Sequence, residues 1–338
     1  MSSRLKIAIL IRRFMHVERG KTMPDPVVHV SFGREVLASL PEEVRNTIQS
    51  EPYTFALFGP DVWFLYKPFR HKESRGRCMH TTKPGLFLTS LLRRTCLSAA
   101  RAEMFSYLAG FLCHYALDSS THPYIIYRTA EEDVFPRSHM SLEHALDAVV
   151  MRRDGLWGSA HPVTDHYFPR LRLPESMQAD LDAVYQEVYG WSTCRADMNR
   201  SCMRYRFCFR LMENPRGFAA FLARLTKSPV LCSLVYSESY FHSRDPENEE
   251  HRPWHSSFDP SIRSSESFPE LREKARRFAV SIITAAWRRA FLGEGTEESL
   301  AALIGDRSYL SGLPSGDPRN LTVPSMLPPG ASAGKEAP

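Results

Sequence analysis

Apolar side chains recur at helical spacing along most of this chain, and strand-like alternation is scarce. Over residues 31–40, Phe32, Val36 and Leu37 fall on one face at the period of a helix. The same pattern predicts three further helices. The first covers 99–119, the second begins after an N-cap at Ser138 and ends near residue 155, and the third covers 278–292. Pro123 is expected to close the first of these three. The pattern predicts an all-α fold.

The two ends of the chain do not continue this pattern. We interpret residues 1–22 as an N-terminal extension, with Met23 as an alternative start of translation. From residue 312 onward Pro, Gly and Ser dominate, which predicts a disordered tail over 312–338. One helical domain over 23–311 remains.

Composition, net charge and cysteine count exclude several classes of protein. Of 338 residues, 43% are hydrophobic and 24% are charged, which excludes disorder for most of the chain. The apolar run at 5–11 is far short of the roughly 20 residues that cross a bilayer. The net charge of +5 comes from scattered basic residues, so we expect no stable nucleic-acid partner. Seven cysteines without a CxxC pair, and no signal-peptide cleavage site, predict reduced thiols and a cytoplasmic location.

Residues that can bind a metal ion are concentrated between positions 110 and 147. His114 and Asp118 are four residues apart, so on a helix both reach one point from the same face. His122 is expected just past the helix end, and His139 and Glu143 form a second pair at the same spacing. Imidazole and carboxylate groups are ligands that zinc accepts.

Chance explains one such pair but not the whole set. From the numbers of histidines and acids, a single His-xxx-acid pair should arise about 1.5 times in this chain. A full His-xxx-acid-xxx-His run should arise only about 0.06 times. The run at 114–122 therefore predicts a metal site.

Several ordered motifs resemble the zinc-dependent phospholipase C family, and in particular its intracellular bacterial branch. They are the opening Met-Pro-Asp-Pro-Val-Val-His29, the turn Gly-Pro-Asp61, the block Ala-Gly-Phe-Leu-Cys-His114-Tyr-Ala-Leu-Asp118-x-x-x-His122-Pro, and Ser-His139-x-x-x-Glu143-x-x-x-Asp147. The likeness extends over about 23–290. It implies a multi-helix bundle that holds two or three Zn²⁺ ions, a fold that the family shares with zinc-dependent single-strand nucleases.

The resemblance implies a role for each motif residue. Asp61, His80, His114 and Asp118 would hold one zinc ion, and Asp118 would bridge to a second ion that also takes His29. A third ion would be held by His122, His139 and Glu143. His71 lies in the same loop as His80 and is the alternative to it.

One departure from the family concerns the site of His29. Secreted members complete this site with an N-terminal tryptophan, and this chain has no Trp before Trp63. Our hypothesis is that translation starts at Met23 and that methionine is removed before Pro24. The new terminal amine, five residues ahead of His29, would then take the tryptophan's place.

The resemblance also implies an activity. It predicts a zinc-dependent phosphodiester hydrolase of phospholipase C type, which attacks the phosphate of a phospholipid with metal-activated water and contacts a membrane surface transiently. Asp61 could double as the catalytic base. Two alternatives are a single-strand nuclease or nucleotidase on the same fold, and a non-catalytic zinc-stabilised protein that binds a lipid or a partner.

Overall fold

The computed structural model describes residues 26–66, 75–130, 139–213, 221, 236 and 245–321. Helices make up most of the described part and its strands form a single short hairpin, which confirms the all-α prediction. The helices are α1 (Pro26–Ser39), α2 (Glu42–Thr47), α3 (Ser50–Ala56), α4 (Arg75–Thr81), α5 (Pro84–Leu97), α6 (Arg101–Ala130), α7 (His139–Arg153), α8 (Gln178–Tyr189), α9 (Cys194–Met212), α10 (Phe268–Trp287) and α11 (Glu297–Ile304). Strands β1 (Trp254–His255) and β2 (Arg263–Ser264) pair antiparallel.

Shorter helical turns connect these elements. They are 3₁₀ turns at Gly59–Leu65, Glu175–Met177 and Pro318–Leu321, and π-type turns at Val163–Tyr167 and Arg288–Leu292. The turn at Gly59–Leu65, called the Asp61 turn below, is buried along its whole length. None of the described helices has the length and apolar character needed to cross a membrane.

Helix α6 is the centre of the fold. Its middle is apolar on every side, with Phe105, Leu108, Phe111 and Leu112 fully buried, so it must be surrounded by other elements. Helices α3 and α10 make its most extensive contacts, and α1, α5 and α7 also pack on it. A polar residue on α6 is therefore held in a fixed, dry environment.

Two carboxylates hold the starts of helices that flank α6. Asp147 of α7 accepts hydrogen bonds from the backbone N–H groups of Val28 (2.8 Å) and Val27 (3.4 Å) at the start of α1. This is favourable because the first N–H groups of a helix have no partner within it. Ser267 and Glu270 form a reciprocal capping box at the start of α10. Backbone N–H groups in the first described turn of α1 and at the start of α10 therefore have side-chain partners.

The prediction that Pro123 closes the central helix is wrong. Helix α6 continues through Pro123 to Ala130, and His122 lies within it. Pro123 has no N–H for the carbonyl of Ser119, one turn earlier, and Gly312 approaches that carbonyl instead. Buried Tyr124 and Ile126 then favour continuation of the helix, because ending it would expose them.

Residues 312–321 of the predicted tail belong to the described part of the structure. Residues 305–321, the C-terminal strap, lie against the body of the protein, where Leu313 and Asn320 are 8% and 7% exposed. The amide of Asn320 donates to the carbonyl of Pro314, which folds the strap on itself. Polar hydrogen bonds of this kind order a Pro- and Gly-rich segment that composition alone assigns to disorder. Residues 322–338 and the extension at 1–22 are outside the described residues.

Candidate metal centre

Four elements bring histidines and carboxylates to one buried place beside α6. Helix α1 supplies His29, the Asp61 turn supplies Asp61, and α4 supplies His80. Helix α6 supplies three residues at successive turns, His114, Asp118 and His122. All six are at most 8% exposed. The chain thus gathers most of the predicted ligands, although His29 and His122 are separated by more than ninety positions.

Gly59 allows the Asp61 turn to approach α6. Its φ is +44°, and a side-chain carbon there would lie 2.4 Å from Cδ2 of His114. Any other residue would be both strained and in collision with the imidazole. The Gly-Pro-Asp sequence is therefore required by close contact between this turn and His114.

The ligand atoms of Asp61, His80, His114 and Asp118 lie at distances that one zinc site can accommodate. His114 Nε2 is 2.9 Å from Asp118 Oδ2, and His80 Nε2 is 3.2 Å from Asp61 Oδ1. The distances His114 Nε2–Asp61 Oδ2 and His80 Nε2–Asp118 Oδ2 are both 3.9 Å. Zinc bonds of about 2.0–2.1 Å in a tetrahedron require ligand atoms about 3.3 Å apart. The observed distances lie on both sides of that value, so these residues fit a zinc ion.

Asp118 faces histidines with both of its oxygens. Oδ2 is directed at His114 and His80, whereas Oδ1 is 3.4 Å from Nε2 of His29. The ring of His29 stacks on that of His114, with 4.3 Å between their centroids. A carboxylate placed in this way can bridge two cations, because each oxygen addresses a different ligand group.

Hydrogen bonds fix the orientation of three imidazoles. Nδ1 of His80 bonds to the carbonyl of Gly76 (2.8 Å), Nδ1 of His114 to that of Leu57 (3.0 Å), and Nδ1 of His122 to that of Tyr309 (2.8 Å). A carbonyl only accepts, so each Nδ1 carries the proton. In the neutral ring the lone pair is then on Nε2, which faces the carboxylates. This arrangement is characteristic of metal-binding histidines.

His114 Nε2 and Asp118 Oδ2 give a direct test of whether the site fits a cation. Both atoms are fully buried, and neither has a hydrogen bond of acceptable geometry, although they are only 2.9 Å apart. When the His114 ring is neutral, both atoms carry lone pairs, and two lone pairs this close repel each other unless a cation, either a proton or a metal ion, lies between or beside them. The donor set and its geometry therefore fit zinc.

Charge coupling within the cluster opposes the effect of burial. Burial by itself would raise the pKa of the Asp118 carboxyl, but His114, His122 and His29 hold it well below its usual range. Burial would lower the pKa of His122, but Asp118 and Glu143 raise it to about 9. For His29, burial and the charge of His114 lower the pKa to about 4, so this ring is neutral at physiological pH. Asp118 is therefore an anion in the folded protein.

The predicted third set is described only in part. His122 Nε2 is 3.3 Å from Glu143 Oε1, so these two groups meet as expected. His139 is the first residue of α7, one turn before Glu143, but its side chain is outside the described part of the structure. His71, the alternative to His80, is also outside it, and His80 lies in the cluster. Met23 and Pro24, with the proposed terminal amine, are likewise outside the described residues.

A cavity adjoins the cluster on the side of His29 and His122. Its volume is about 280 Å³ with its mouth included. Its lining consists of Val28, His29, Leu117, Asp118, Thr121, His122, Ile125, Glu143, Leu146 and Phe268. Half of these side chains are apolar and half are polar, so the cavity can accept a group that is partly hydrophobic and partly polar.

Arg75 connects the two elements that carry Asp61 and His80. Its guanidinium lies 4.1–4.8 Å from the ring centroids of Trp63, Tyr66 and Trp191. Asp197 pairs with it at 3.6 Å. Because Arg75 begins α4 while Trp63 and Tyr66 follow Asp61, these cation–π contacts fix α4 against the Asp61 turn.

Sequence reasoning missed the supporting residues. Tyr309 of the strap supplies the carbonyl that orients His122, and its ring lies 5.4 Å from that of His80. Nothing in the sequence around Tyr309 suggests this contact, since it is made 187 positions away. Asp147 belongs to a motif already noted in the sequence, so its spacing from Glu143 could have pointed to it. Cys113 is buried against the hydroxyl of Tyr53, which agrees with a packing role.

Comparison with known proteins identifies a family for this chain. A family model described as zinc dependent phospholipase C matches residues 28–205, which is more than half of the chain. The matched span contains every predicted ligand and ends before α10 and the C-terminal strap. No curated protein and no solved structure matches the chain.

Proposed function

The chain belongs to the zinc-dependent phospholipase C family, and on this premise we propose that it is a zinc-dependent hydrolase of phosphodiesters, with a phospholipid as substrate. The observation that carries the proposal is the convergence of His29, Asp61, His80, His114 and Asp118. Within it, two overlapping triads of ligand atoms each lie within 4.8 Å of one another. Bound zinc would supply Lewis acidity for the phosphoryl oxygens and would make water a nucleophile near neutral pH.

The residues of the chain have separate tasks in this proposal. Asp61, His80, His114 and Asp118 would hold one ion, and Asp118 would share its other oxygen with a second ion beside His29. His122 and Glu143, with His139, would hold a third. The backbone carbonyls of Gly76, Leu57 and Tyr309 keep three imidazoles in the ligating tautomer.

The adjoining cavity places polar and apolar side chains beside the cluster. Its volume of about 280 Å³ includes its open mouth, so the cavity is continuous with solvent. A phosphoryl group beside His29, Asp118 and His122 would leave its ester substituent against Leu117, Ile125 and Phe268. These apolar side chains exclude water from the polar groups, which strengthens their electrostatic interactions.

Asp61 has two proposed roles, as a ligand and as a base that orients water. Its oxygens lie 3.2 Å from His80 and 3.9 Å from His114, which favours the role of ligand. A carboxylate that donates electrons to a cation is a weaker base. We therefore assign Asp61 chiefly to metal binding.

The test combines metal content with turnover. Purified protein should contain two or three zinc ions per chain and should hydrolyse a chromogenic phosphodiester and phosphatidylcholine, releasing diacylglycerol. Asp118→Asn should lose zinc and at least about 100-fold in activity, because changes to residues that only support metal ligands already cost about 10–100-fold. Asp165→Asn, an exposed aspartate outside the cluster, is the matched control.

Three outcomes would contradict the proposal. Full activity of Asp118→Asn would exclude a bridging role for this residue. Preferential cleavage of single-stranded nucleic acid would identify a nuclease instead. Stoichiometric zinc without turnover on any phosphodiester would indicate a non-catalytic binding protein.

A further inference from the structure

Helix α9 presents an unusual face to solvent. Its nineteen residues include five arginines and a single acid, Asp197, which is buried. At 3.6 residues per turn, Arg200, Met203, Phe207 and Arg210 fall on one arc, with Phe207 near its centre. The opposite side of the helix is packed into the core.

The two apolar side chains on this arc are exposed to a degree that the fold does not require. Met203 is 53% and Phe207 is 50% exposed, and they are one turn apart, so they form a single apolar strip. Arg200, Arg204 and Arg210 border the strip. Arg200 and Arg210 pair with Asp197 and Asp165, yet their side chains are 60% and 46% exposed and keep donors on the solvent side.

The face is fixed relative to the metal centre. The hydroxyl of Ser201 donates to the carbonyl of Val62, and Nη1 of Arg204 donates to the carbonyl of Leu65 at 2.9 Å. Both carbonyls belong to the Asp61 turn. A ligand bound to this face would therefore be separated from the Asp61 turn only by helix α9.

We propose that the exposed face of α9 (Arg200, Met203, Arg204, Phe207 and Arg210) docks the protein on an anionic lipid surface. The apolar strip would enter the boundary between head groups and acyl chains, while the guanidinium groups pair with lipid phosphates. Charge complementarity argues for this occupant, because the exposed arc of α9 carries three arginines and no acid, and the exposed acid beside it, Asp165, pairs with Arg210. The proposal rests on the proposed function for its biological purpose, but the docking can be measured without catalysis.

The test measures binding of the full-length, zinc-loaded protein to vesicles by co-sedimentation. One set of vesicles contains phosphatidylcholine alone, and the other contains phosphatidylcholine and phosphatidylglycerol in equal parts. We expect binding to the anionic set to be at least about tenfold stronger, because each arginine near the surface contributes to the attraction. Added salt should weaken it.

Two paired variants separate the apolar and the charged contributions. Met203→Ser with Phe207→Ser, and Arg200→Gln with Arg210→Gln, should each weaken binding to anionic vesicles by about tenfold or more. Both should leave hydrolysis of a water-soluble phosphodiester unchanged. The controls are Leu97→Ser with Leu292→Ser, which removes leucines that are 74% and 55% exposed elsewhere, and the exposed Arg277→Gln.

Equal binding to both vesicle types, or full binding by both paired variants, would overturn the proposal. Arginine-dependent binding of a single-stranded oligonucleotide in place of vesicles would also overturn it. Vesicle binding without hydrolysis would support docking and contradict the proposed function alone. Hydrolysis without vesicle binding would support the proposed function and contradict the docking proposal.

Discussion

Asp118 is the single residue on which the metal centre depends most. It is 2% exposed, and four histidines lie within 4 Å of its carboxylate oxygens. A lone buried carboxylate would be protonated, since burial disfavours the charged form. The surrounding imidazoles reverse that outcome, so the same residues that can bind a cation also keep their central ligand ionised.

The pKa values of His122 and His29 predict how the metal-free protein responds to pH. His122, raised from 6.5 to about 9, stabilises the fold fully below pH 6.5, and this contribution is lost as pH rises toward 9. His29, lowered from 6.5 to about 4, costs stability as pH falls from 6.5 toward 4. From these two groups, we expect the melting temperature of chelated protein to be highest near pH 6.5.

Two variants test which histidine causes each part of this dependence of melting temperature on pH. His122→Asn should remove only the decline above pH 6.5, and His29→Asn only the decline below it. With zinc bound, the decline above pH 6.5 should be reduced, because the metal replaces the proton on His122. A melting temperature of the chelated protein that rises steadily from pH 6.5 to 9 would contradict the assignment for His122.

Asp61→Asn distinguishes the two roles proposed for this residue. If Asp61 is a ligand, zinc affinity and hydrolysis should fall together, by about 10–100-fold or more, and added zinc should restore part of the activity. Titration calorimetry with zinc, alongside turnover of a chromogenic phosphodiester, measures both quantities. An unchanged zinc affinity with lost turnover would leave only the role of base.

Among the elements, α6 and the C-terminal strap position the site together. Helix α6 supplies His114, Asp118 and His122 at successive turns, and the strap lies against the helix next to Ser119 and Pro123. Gly312 has a φ of +68°, and a side-chain carbon there would lie 2.7 Å from the carbonyl of Ser119. From the same strap, the carbonyl of Tyr309 orients His122.

Gly312→Ala should therefore displace the strap. Strain at a positive φ and the collision with Ser119 together should cost about 1–3 kcal/mol of the free energy of unfolding. Zinc stoichiometry should fall as His122 loses its orienting carbonyl. Gly316→Ala is the matched control, because a side chain there meets nothing within 4 Å, so it should stay within about 0.5 kcal/mol of the parent.

Urea unfolding and metal analysis of both variants test this prediction. Equal stability of Gly312→Ala and Gly316→Ala would show that the strap does not support the site. Loss of stability without loss of zinc would show that Tyr309 does not position His122.

At the scale of the whole molecule, zinc would connect parts of the chain that are distant in sequence. His29, Asp61, His80 and His114 lie on four separate elements, so a bound ion adds its binding free energy to folding. We expect a chelator to lower the melting temperature markedly, since ligand at a thousandfold excess over Kd contributes about 4 kcal/mol. Calorimetry with and without chelator measures the difference.

The control for this prediction is Asp118→Asn, whose melting temperature should respond little to the chelator because its zinc is already lost. If the melting temperature of the parent protein is the same with and without chelator, zinc is excluded as a stabilising ligand. Re-addition of zinc should restore the original value, which separates metal loss from irreversible unfolding.

Much of the fold followed from local pattern. The periodicity of apolar residues predicted helices that correspond to α1, α6, α7 and α10, because a side chain repeats its direction every 3.6 residues wherever a helix forms. The ends of these helices were less predictable. Helix α1 is already helical at Pro26, ahead of residue 31, and Asp147, from another helix, accepts hydrogen bonds from the N–H groups of its first described turn.

The sequence by itself determined the helical class, the family and the chemical types gathered along α6, since spacing and side-chain chemistry are properties of a short segment. Tertiary structure decided which groups meet: that Asp118 turns one oxygen to His29 and the other to His114, that Tyr309 orients His122, and that Arg75 fixes the Asp61 turn against α4. Contacts between distant residues depend on how whole helices pack, and no local pattern encodes them. The course of α6 through Pro123 likewise involves distant residues, because the strap lies beside that turn and Tyr124 and Ile126 are buried just after it.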